Sequence, residues 1–301
     1  MNCPPNSPAN RPAGPIRPIN VAHVSPVSSE RSVDPQRGGP MRVARFVLTF
    51  LLIFVSSPHL NSQHSATAAQ RDPQALAVLN QAVTAMGGSV PGDSSATGTV
   101  TITAGSDTQA GTIKILTRGS SQTLEQITTS SGTAQVVYSN GFANDSNHIA
   151  TKAKYSLELA TSSQSALFPL PLVSAVLSSS DFALQYIGQE NIDGAGCHHL
   201  RTWNTYSSQP DLQYLSPFSY REIWINATTG LPSRIAYSMR AGSGAEPSIA
   251  VEVSYSNYQS AGGVLFPFQI SRSLNGTPWM TIIISSVSFN NGLTDSTFSN
   301  L

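Results

Sequence analysis

Apolar and polar residues alternate along most of this chain, from about residue 99 to residue 289. At the start of this region Val100 and Ile102 alternate with Thr99, Thr101 and Thr103. A period of two places successive side chains on opposite faces of a β-strand. An apolar face opposite a hydroxyl-rich face is typical of an antiparallel sheet with one face in water. The pattern therefore predicts a mainly β protein.

Turn-forming clusters of Gly, Ser and Asn divide the alternating region into strand-like runs. The runs lie at 99–103, 112–115, 122–129, 134–139, 146–152, 182–190, 196–206, 220–228, 231–240, 248–258, 264–274 and 279–289. Joined as sequential hairpins, they predict a curved antiparallel sheet or half-barrel of about 11–12 strands. We expect one such domain over residues 72–301.

Two segments interrupt the strand pattern with helical signals. Asp72 followed by Pro73 predicts an N-cap and the first helical position, and Gly87-Gly88 ends an apolar stripe of helical period. A second apolar segment, rich in Leu and Val, lies between residues 155 and 180 and contains two prolines. Because proline is tolerated in a first helical turn and not in the middle, we expect a loop to about Phe168 and a short helix at about 171–178.

The N-terminal 68 residues differ from the rest of the chain. Residues 1–40 carry nine of the twenty prolines and no apolar periodicity, which predicts disorder or an upstream extension that is not translated. From Met41, two arginines precede the apolar run 46–55, the pattern of a signal peptide over residues 41–68. Cleavage after Ser62, Ala68 or Ala69 fits equally well. The alternative is a cytoplasmic tail with an uncleaved anchor.

Charge and cysteine content agree with export and exclude some functions. Charged residues are only 11% of the chain. Without the first 45 residues, ten basic and fourteen acidic residues remain, a net charge of −4. A mildly acidic domain has no electrostatic footprint for nucleic acid. Cys197 is alone after the signal peptide, so we expect no intrachain disulfide.

Residues 223–234, IWINATTGLPSR, carry a strand-turn-strand motif with Thr229-Gly230 at the turn and Pro232 opening the next strand. The motif and the order of helix, meander, interrupted helical segment and meander resemble the periplasmic lipoprotein-carrier superfamily of LolA and LolB-like domains. Asn226 stands where the family usually has Asp, and either residue makes the same Asx turn. The resemblance implies a half-barrel closed by helices, over residues 72–295.

The resemblance also implies a ligand site, because in that family aliphatic and aromatic side chains line the concave face under a helical lid. By that analogy the ligand is a lipid, an acyl chain or another apolar small molecule. The candidate ligand-binding residues are Phe168, Leu172 and Val176 on the lid and Trp203, Trp224, Phe266, Phe268 and Trp279 on strands. The alternative is that these side chains are ordinary core.

No pattern in the chain indicates catalysis, a metal or a cofactor. In Cys197-His198-His199, strand alternation places the outer two residues on one face and His198 on the other, so at most two could bind one ion. The chain has no G-x-S-x-G, H-E-x-x-H or C-x-x-C motif. We therefore expect that the protein is not an enzyme.

Two hypotheses remain for the function. In the first, a protein of the periplasm or the extracellular space holds an apolar ligand in the concave face of the half-barrel and does not span the membrane once its signal is cleaved. In the second, the same fold is a filled scaffold that acts through its outer surface as an interaction module, with an envelope protein as partner.

Overall fold

A computed structural model describes residues 70–139, 142–146, 152–154, 166–239 and 248–299. The predicted signal peptide, the upstream extension and the loop between residues 155 and 165 lie outside the described residues. Across the described residues, no helix has the length and apolar run needed to cross a bilayer.

The first helix, α1, spans Pro73–Ala85 and begins as predicted. The carboxylate of Asp72 accepts hydrogen bonds from the backbone N–H of Gln74 at 2.8 Å and of Ala75 at 3.4 Å. Gly87 ends the helix at φ +117°, where the chain passes close to the backbone of Gly263: a Cβ on Gly87 would lie 2.5 Å from the carbonyl oxygen of Gly263.

The second helix, α2, spans Pro169–Ser178, two residues earlier than predicted. The prediction started the helix at the second of its two prolines. Both Pro169 and Pro171 in fact fall within the first turn, where the backbone N–H groups have no partner inside the helix and a proline removes nothing.

The described residues contain thirteen strands, where twelve runs were predicted. They are β1 (Asp93–Ala104), β2 (Asp107–Arg118), β3 (Gln122–Thr129), β4 (Gly132–Ser139), β5 (Phe142–Ser146), β6 (Lys152–Lys154), β7 (Phe182–Ile192), β8 (Ala195–Asn204), β9 (Arg221–Asn226), β10 (Pro232–Met239), β11 (Ile249–Ala261), β12 (Val264–Leu274) and β13 (Thr277–Phe289). Of the predicted run 146–152, residues 147–151 lie outside the described residues; Ser146 ends β5 and Lys152 begins β6. Two 3-10 helices that were not predicted span Pro210–Phe218 and Asp295–Phe298.

All thirteen strands form one open antiparallel sheet. The order is β6-β5-β4-β3-β2-β1-β13-β12-β11-β10-β9-β8-β7, so β6 and β7 are its edges. Two meanders, β1–β6 and β7–β13, are joined in the middle by pairing of β1 with β13. The predicted fold class, a mainly β curved antiparallel sheet with an N-terminal helix and a mid-chain helix, is confirmed.

Both helices pack on the same face of the sheet, called here the inner face; the other is the outer face. The main core lies between the helices and inner-face strand residues such as Val100, Ile223, Ile270 and Ile282. On the outer face the second 3-10 helix inserts Phe298 into a small apolar cluster formed with Leu116, Leu124 and Val137.

The predicted turn motif has the expected conformation. The side-chain oxygen of Asn226 accepts the backbone N–H groups of Thr228 and Thr229, each at 2.9 Å. Gly230 takes φ +71°, a left-handed value that suits glycine, and Pro232 opens β10. Asn therefore makes the Asx turn that the motif requires.

Candidate functional site

Six of the eight predicted ligand residues lie on the inner face. Phe168 packs its ring against Phe266, with ring centroids 4.7 Å apart. Phe168, Val176 and Phe266 are buried in the core, and Leu172, Phe268 and Trp279 are half-buried against it. The lid residues and the strand residues therefore meet on one side of the sheet.

Trp203 and Trp224 do not join them, because both lie on the outer face. In β9 the core residues Ile223 and Ile225 flank Trp224, whose ring points the other way and stacks on His199 with centroids 4.4 Å apart. Trp203 stacks on Tyr220 at 5.1 Å. The structure thus places these two indoles away from the concave side.

Contacts at both ends fix α1 and α2 across the inner face. Arg71 donates from Nη2 to the carbonyls of Val176 and Leu177 at 2.5 and 2.9 Å, at the C-terminal end of α2. Ahead of α2, the hydroxyl of Tyr255 donates to the carbonyl of Ala166. The carbonyl of Met86, after α1, accepts the N–H of Leu265 at 3.0 Å.

A group of apolar side chains, called here the rim, lies on the inner face. The rim is at the far end of the strands from the point where the chain after α1 contacts β12. It consists of Ile102, Met239, Ile249, Leu274 and Trp279, contributed by β1, β10, β11, β12 and β13, which are contiguous in the sheet. Strand register places Met239 directly opposite Ile249, and Leu274 is opposite Val251, two residues along β11 from Ile249. Leu274 is nine residues from Leu265, so this rim is ~30 Å along β12 from the helix contact.

The rim residues are only partly covered. Ile249 is 36% exposed, and the other four are half-buried against the core. Five neighbouring strands therefore present an unfinished apolar surface on the inner face.

A buried ion pair lies on the inner face beside the rim. Arg272 Nη2 is 3.3 Å from Glu125 Oε1, and the two side chains are 10% and 7% exposed. The guanidinium lies over the ring of Trp279, 5.6 Å from its centroid. Burial is the largest single influence and opposes the charge on Arg272, but the carboxylate of Glu125, together with Tyr237 and Tyr138, raises the pKa of Arg272 above its ordinary value.

Two buried phenols accompany this pair. Burial raises the pKa of Tyr237, which lies on β10, and of Tyr255, which lies on β11. Both remain neutral donors at physiological pH, so the inner face combines an apolar surface with fixed polar groups. Arg272 and Glu125 were not predicted from the sequence, although Arg272 occupies the apolar side of the alternation between Ile270 and Leu274.

The Cys197-His198-His199 run lies on β8 with the predicted alternation. Cys197 is buried with its sulfur 3.4 Å from the hydroxyl of Ser233, and His198 faces the inner side, where Nδ1 is 3.0 Å from the hydroxyl of Tyr186. Within the described ranges no three or more His, Cys, Asp and Glu side chains are grouped to hold a metal ion.

His199 bridges two carboxylates on the outer face. Its Nδ1 is 2.6 Å from Glu190 Oε1, and its Nε2 is 2.8 Å from Glu222 Oε2. The indole N–H of Trp224 donates to Glu190 at 2.9 Å. Hydrogen bonds from Trp224 and then from His199 lower the pKa of Glu190. The cluster ties together β7, β8 and β9.

The fold is that of an open antiparallel half-barrel whose inner face is crossed by two helices. No family model matches the chain, and no curated protein matches it in sequence. Among solved structures, a domain described as an outer membrane lipoprotein-sorting protein, from Vibrio parahaemolyticus, is 13% identical with a TM-score of 0.49, covering 75% of this chain and 96% of that one.

Two further solved structures are similar at the same level. A LolA superfamily protein from Nitrosomonas europaea is 14% identical with a TM-score of 0.49, and a DUF1329 family protein from Desulfovibrio piger is 14% identical with a TM-score of 0.47. Each covers 75% of this chain and 97% of its own. Identities and TM-scores this low carry over no family, activity or ligand.

Proposed function

We propose that this is an exported protein of the periplasm or extracellular space that binds an apolar ligand, a lipid or acyl chain, on the inner face of its half-barrel. The observation that carries the proposal is the apolar rim. Five contiguous strands each place an apolar side chain there, beyond the reach of the contacts that fix α1.

An exposed apolar surface of this kind favours a partner that removes it from water. Burial of apolar area contributes ~25 cal/mol per Å², so an alkyl chain laid along the rim gains stability from every methylene that it buries. Contiguous apolar patches on soluble proteins are typical of ligand or interaction sites. The rim is continuous with the core, so an acyl chain bound at the rim would lie against inner-face side chains.

The helix α2 supports the proposal as a cover over the other part of the inner face. Its residues Val173 and Val176 are buried, whereas Leu172 is half-buried at its margin. The helix is held by buried core side chains and by hydrogen bonds at its two ends. Export rests on the sequence alone, through the signal peptide that begins near Met41.

Mass spectrometry of the native protein, purified from the envelope of cells that produce the full-length chain, tests this function. We expect a mass above that of the processed polypeptide and a lipid in the organic extract. Ile249→Asp on the rim should lose that lipid. The matched control is Ile283→Asp, on the outer face of β13, where Ile283 is 46% exposed.

Ile249 and Ile283 are both exposed and both on strands. The same substitution at each therefore compares the effect of a charge on the inner face with its effect on the outer face. Equal lipid content in both variants would contradict a rim site. A bare polypeptide mass with no extractable lipid would overturn the carrier function and favour the interaction module.

A further inference from the structure

A groove on the outer face lies apart from the proposed lipid site. It has a volume of about 390 Å³, within the ~300–1,000 Å³ typical of small-molecule sites. Its floor is made of small side chains on β10 and β11, namely Ala236, Ser238 and Ala250. Small residues at neighbouring positions leave a depression in a sheet surface that is otherwise covered by longer side chains.

Two carboxylates stand at one end of this floor. Ala236 pairs directly with Glu222 on β9 and with Glu252 on β11, so the two glutamates flank it at the same level. Neighbouring strands are ~4.8 Å apart, which places the two glutamate backbones ~10 Å from each other. Both side chains line the groove.

An aromatic wall closes one side. Tyr220 is 45% exposed, lines the groove, and stacks on Trp203 with the planes 15° apart. Its position is fixed by the preceding residue, because the hydroxyl of Ser219 accepts the N–H of Asn204 at 2.9 Å. The ring therefore presents a flat, preorganised apolar surface beside the carboxylates.

Both carboxylates of the groove already have partners. Glu222 accepts Arg201 Nε at 2.6 Å, and Glu252 accepts Arg234 Nη1 at 2.8 Å. Glu222 also contacts His199, and Arg234 is shared between Glu252 and Asp193. A cationic ligand would have to compete with these guanidinium groups. Each carboxylate oxygen has a second lone pair, so a neutral ligand with hydroxyl groups can donate to the glutamates without breaking either ion pair.

We propose that this groove binds a neutral carbohydrate. A pyranose has an apolar C–H face, which fits the exposed ring of Tyr220, and an edge of hydroxyl groups, which fits Glu222 and Glu252. Sugar binding here is independent of lipid binding on the inner face, since the two surfaces lie on opposite sides of the sheet. Trp203, predicted as a lipid contact, instead supports the aromatic wall of this groove.

Isothermal titration calorimetry on the protein produced from the full-length chain tests the proposal. The probes are three neutral oligosaccharides, cellotetraose, maltotetraose and chitotetraose, and one cationic peptide, tetralysine. We expect saturable binding of at least one oligosaccharide with a Kd of about 1 mM or tighter. Tyr220→Ala should weaken that binding about tenfold, which corresponds to loss of one aromatic contact.

Two further variants keep the result interpretable. Tyr214→Ala is the matched control, because Tyr214 is 52% exposed on the neighbouring 3-10 helix and does not line the groove; its affinity should equal that of the parent. If Tyr220→Ala fails to fold, Glu252→Gln tests the carboxylates that line the groove. This variant should weaken oligosaccharide binding several-fold.

Three results would overturn the proposal. They are no saturable binding of any oligosaccharide, tighter binding of tetralysine than of the oligosaccharides, or an unchanged affinity in both groove variants. None of them bears on whether lipid is bound at the rim.

Discussion

Arg272 on β12 and Glu125 on β3 form an ion pair across the inner face, although β2, β1 and β13 lie between their strands. In a flat sheet the two strands would be four spacings, or ~19 Å, apart. The two side chains could not then bring their charged groups within 3.3 Å of each other. The sheet must therefore curl strongly, and the pair spans its concavity.

Removing one partner of this pair should destabilise the protein severely. Arg272→Met leaves the carboxylate of Glu125 buried without a cation, and we expect a loss of about 3–5 kcal/mol in the free energy of unfolding by urea denaturation. The same substitution at Arg118, whose partner Asp295 has a largely exposed side chain, should cost far less, because water screens an exposed pair.

The double variant Arg272→Met with Glu125→Leu should recover most of that loss, because an apolar pair leaves no buried charge. If the double variant is less stable than Arg272→Met alone, the pair contributes through its neighbours and not through mutual neutralisation. The coupling energy follows from the complete double-mutant cycle.

Leu172 is the position on α2 that separates ligand binding from folding. Its side chain is half-buried, so Leu172→Asp should leave the protein folded and reduce the lipid recovered in organic extracts. Val176 is fully buried, and Val176→Asp should destabilise the fold whatever the function. Circular dichroism melts establish folding. Full lipid recovery in a folded Leu172→Asp would exclude α2 as a cover over the ligand.

Much of this fold follows from the sequence because local rules decided it. The apolar and polar alternation predicted the positions of the strands. Asp72 predicted the N-terminus of α1, and Gly230 predicted the turn before β10. The boundary of α2 was wrong by two residues because two prolines within one turn are compatible with either start. Of the predicted run 146–152, only Ser146 and Lys152 are described, and they belong to two different strands, β5 and β6.

The candidate site was predicted less well, because residue type was given more weight than strand position. Trp224 lies between Ile223 and Ile225, so the alternation itself indicates the face opposite the core. The pairing of Arg272 with Glu125 depends on the curl of the sheet, and residues 147 apart in sequence carry no local signal of it. The small residues of the outer groove become neighbours only when β10 and β11 pair in register.

Arg71 should control how firmly α2 is held. Arg71→Met removes two charge-assisted hydrogen bonds to carbonyls at the end of the helix, each worth about 1.5–3 kcal/mol when the donor is charged. We expect faster hydrogen exchange of the α2 amides, with β1 and β2 unchanged as the internal reference. Faster exchange throughout the sheet would show that Arg71 stabilises the whole fold and not the cover alone.

Asp181 should make the stability of the protein depend on pH, through the segment that leads into the 3-10 helix beside the groove. Its carboxylate accepts the hydroxyl of Ser207 at 2.5 Å and both the hydroxyl and the N–H of Ser208, and so holds the segment that leads into the 3-10 helix beside the groove. Hydrogen bonds from Ser207 and then Ser208 outweigh burial and lower the pKa of Asp181 below its ordinary value of 3.8.

A lowered pKa in the folded state contributes stability above pH 3.8, and that contribution is lost as the pH falls through the folded value. Asp181→Asn should therefore be less stable than the parent by about 1 kcal/mol at pH 7, with the difference shrinking below pH 4. Thermal melts between pH 3 and pH 7 measure it, with the exposed Asp211→Asn as control. A difference that stays constant with pH would mean that the charge on Asp181 has no part in holding this segment.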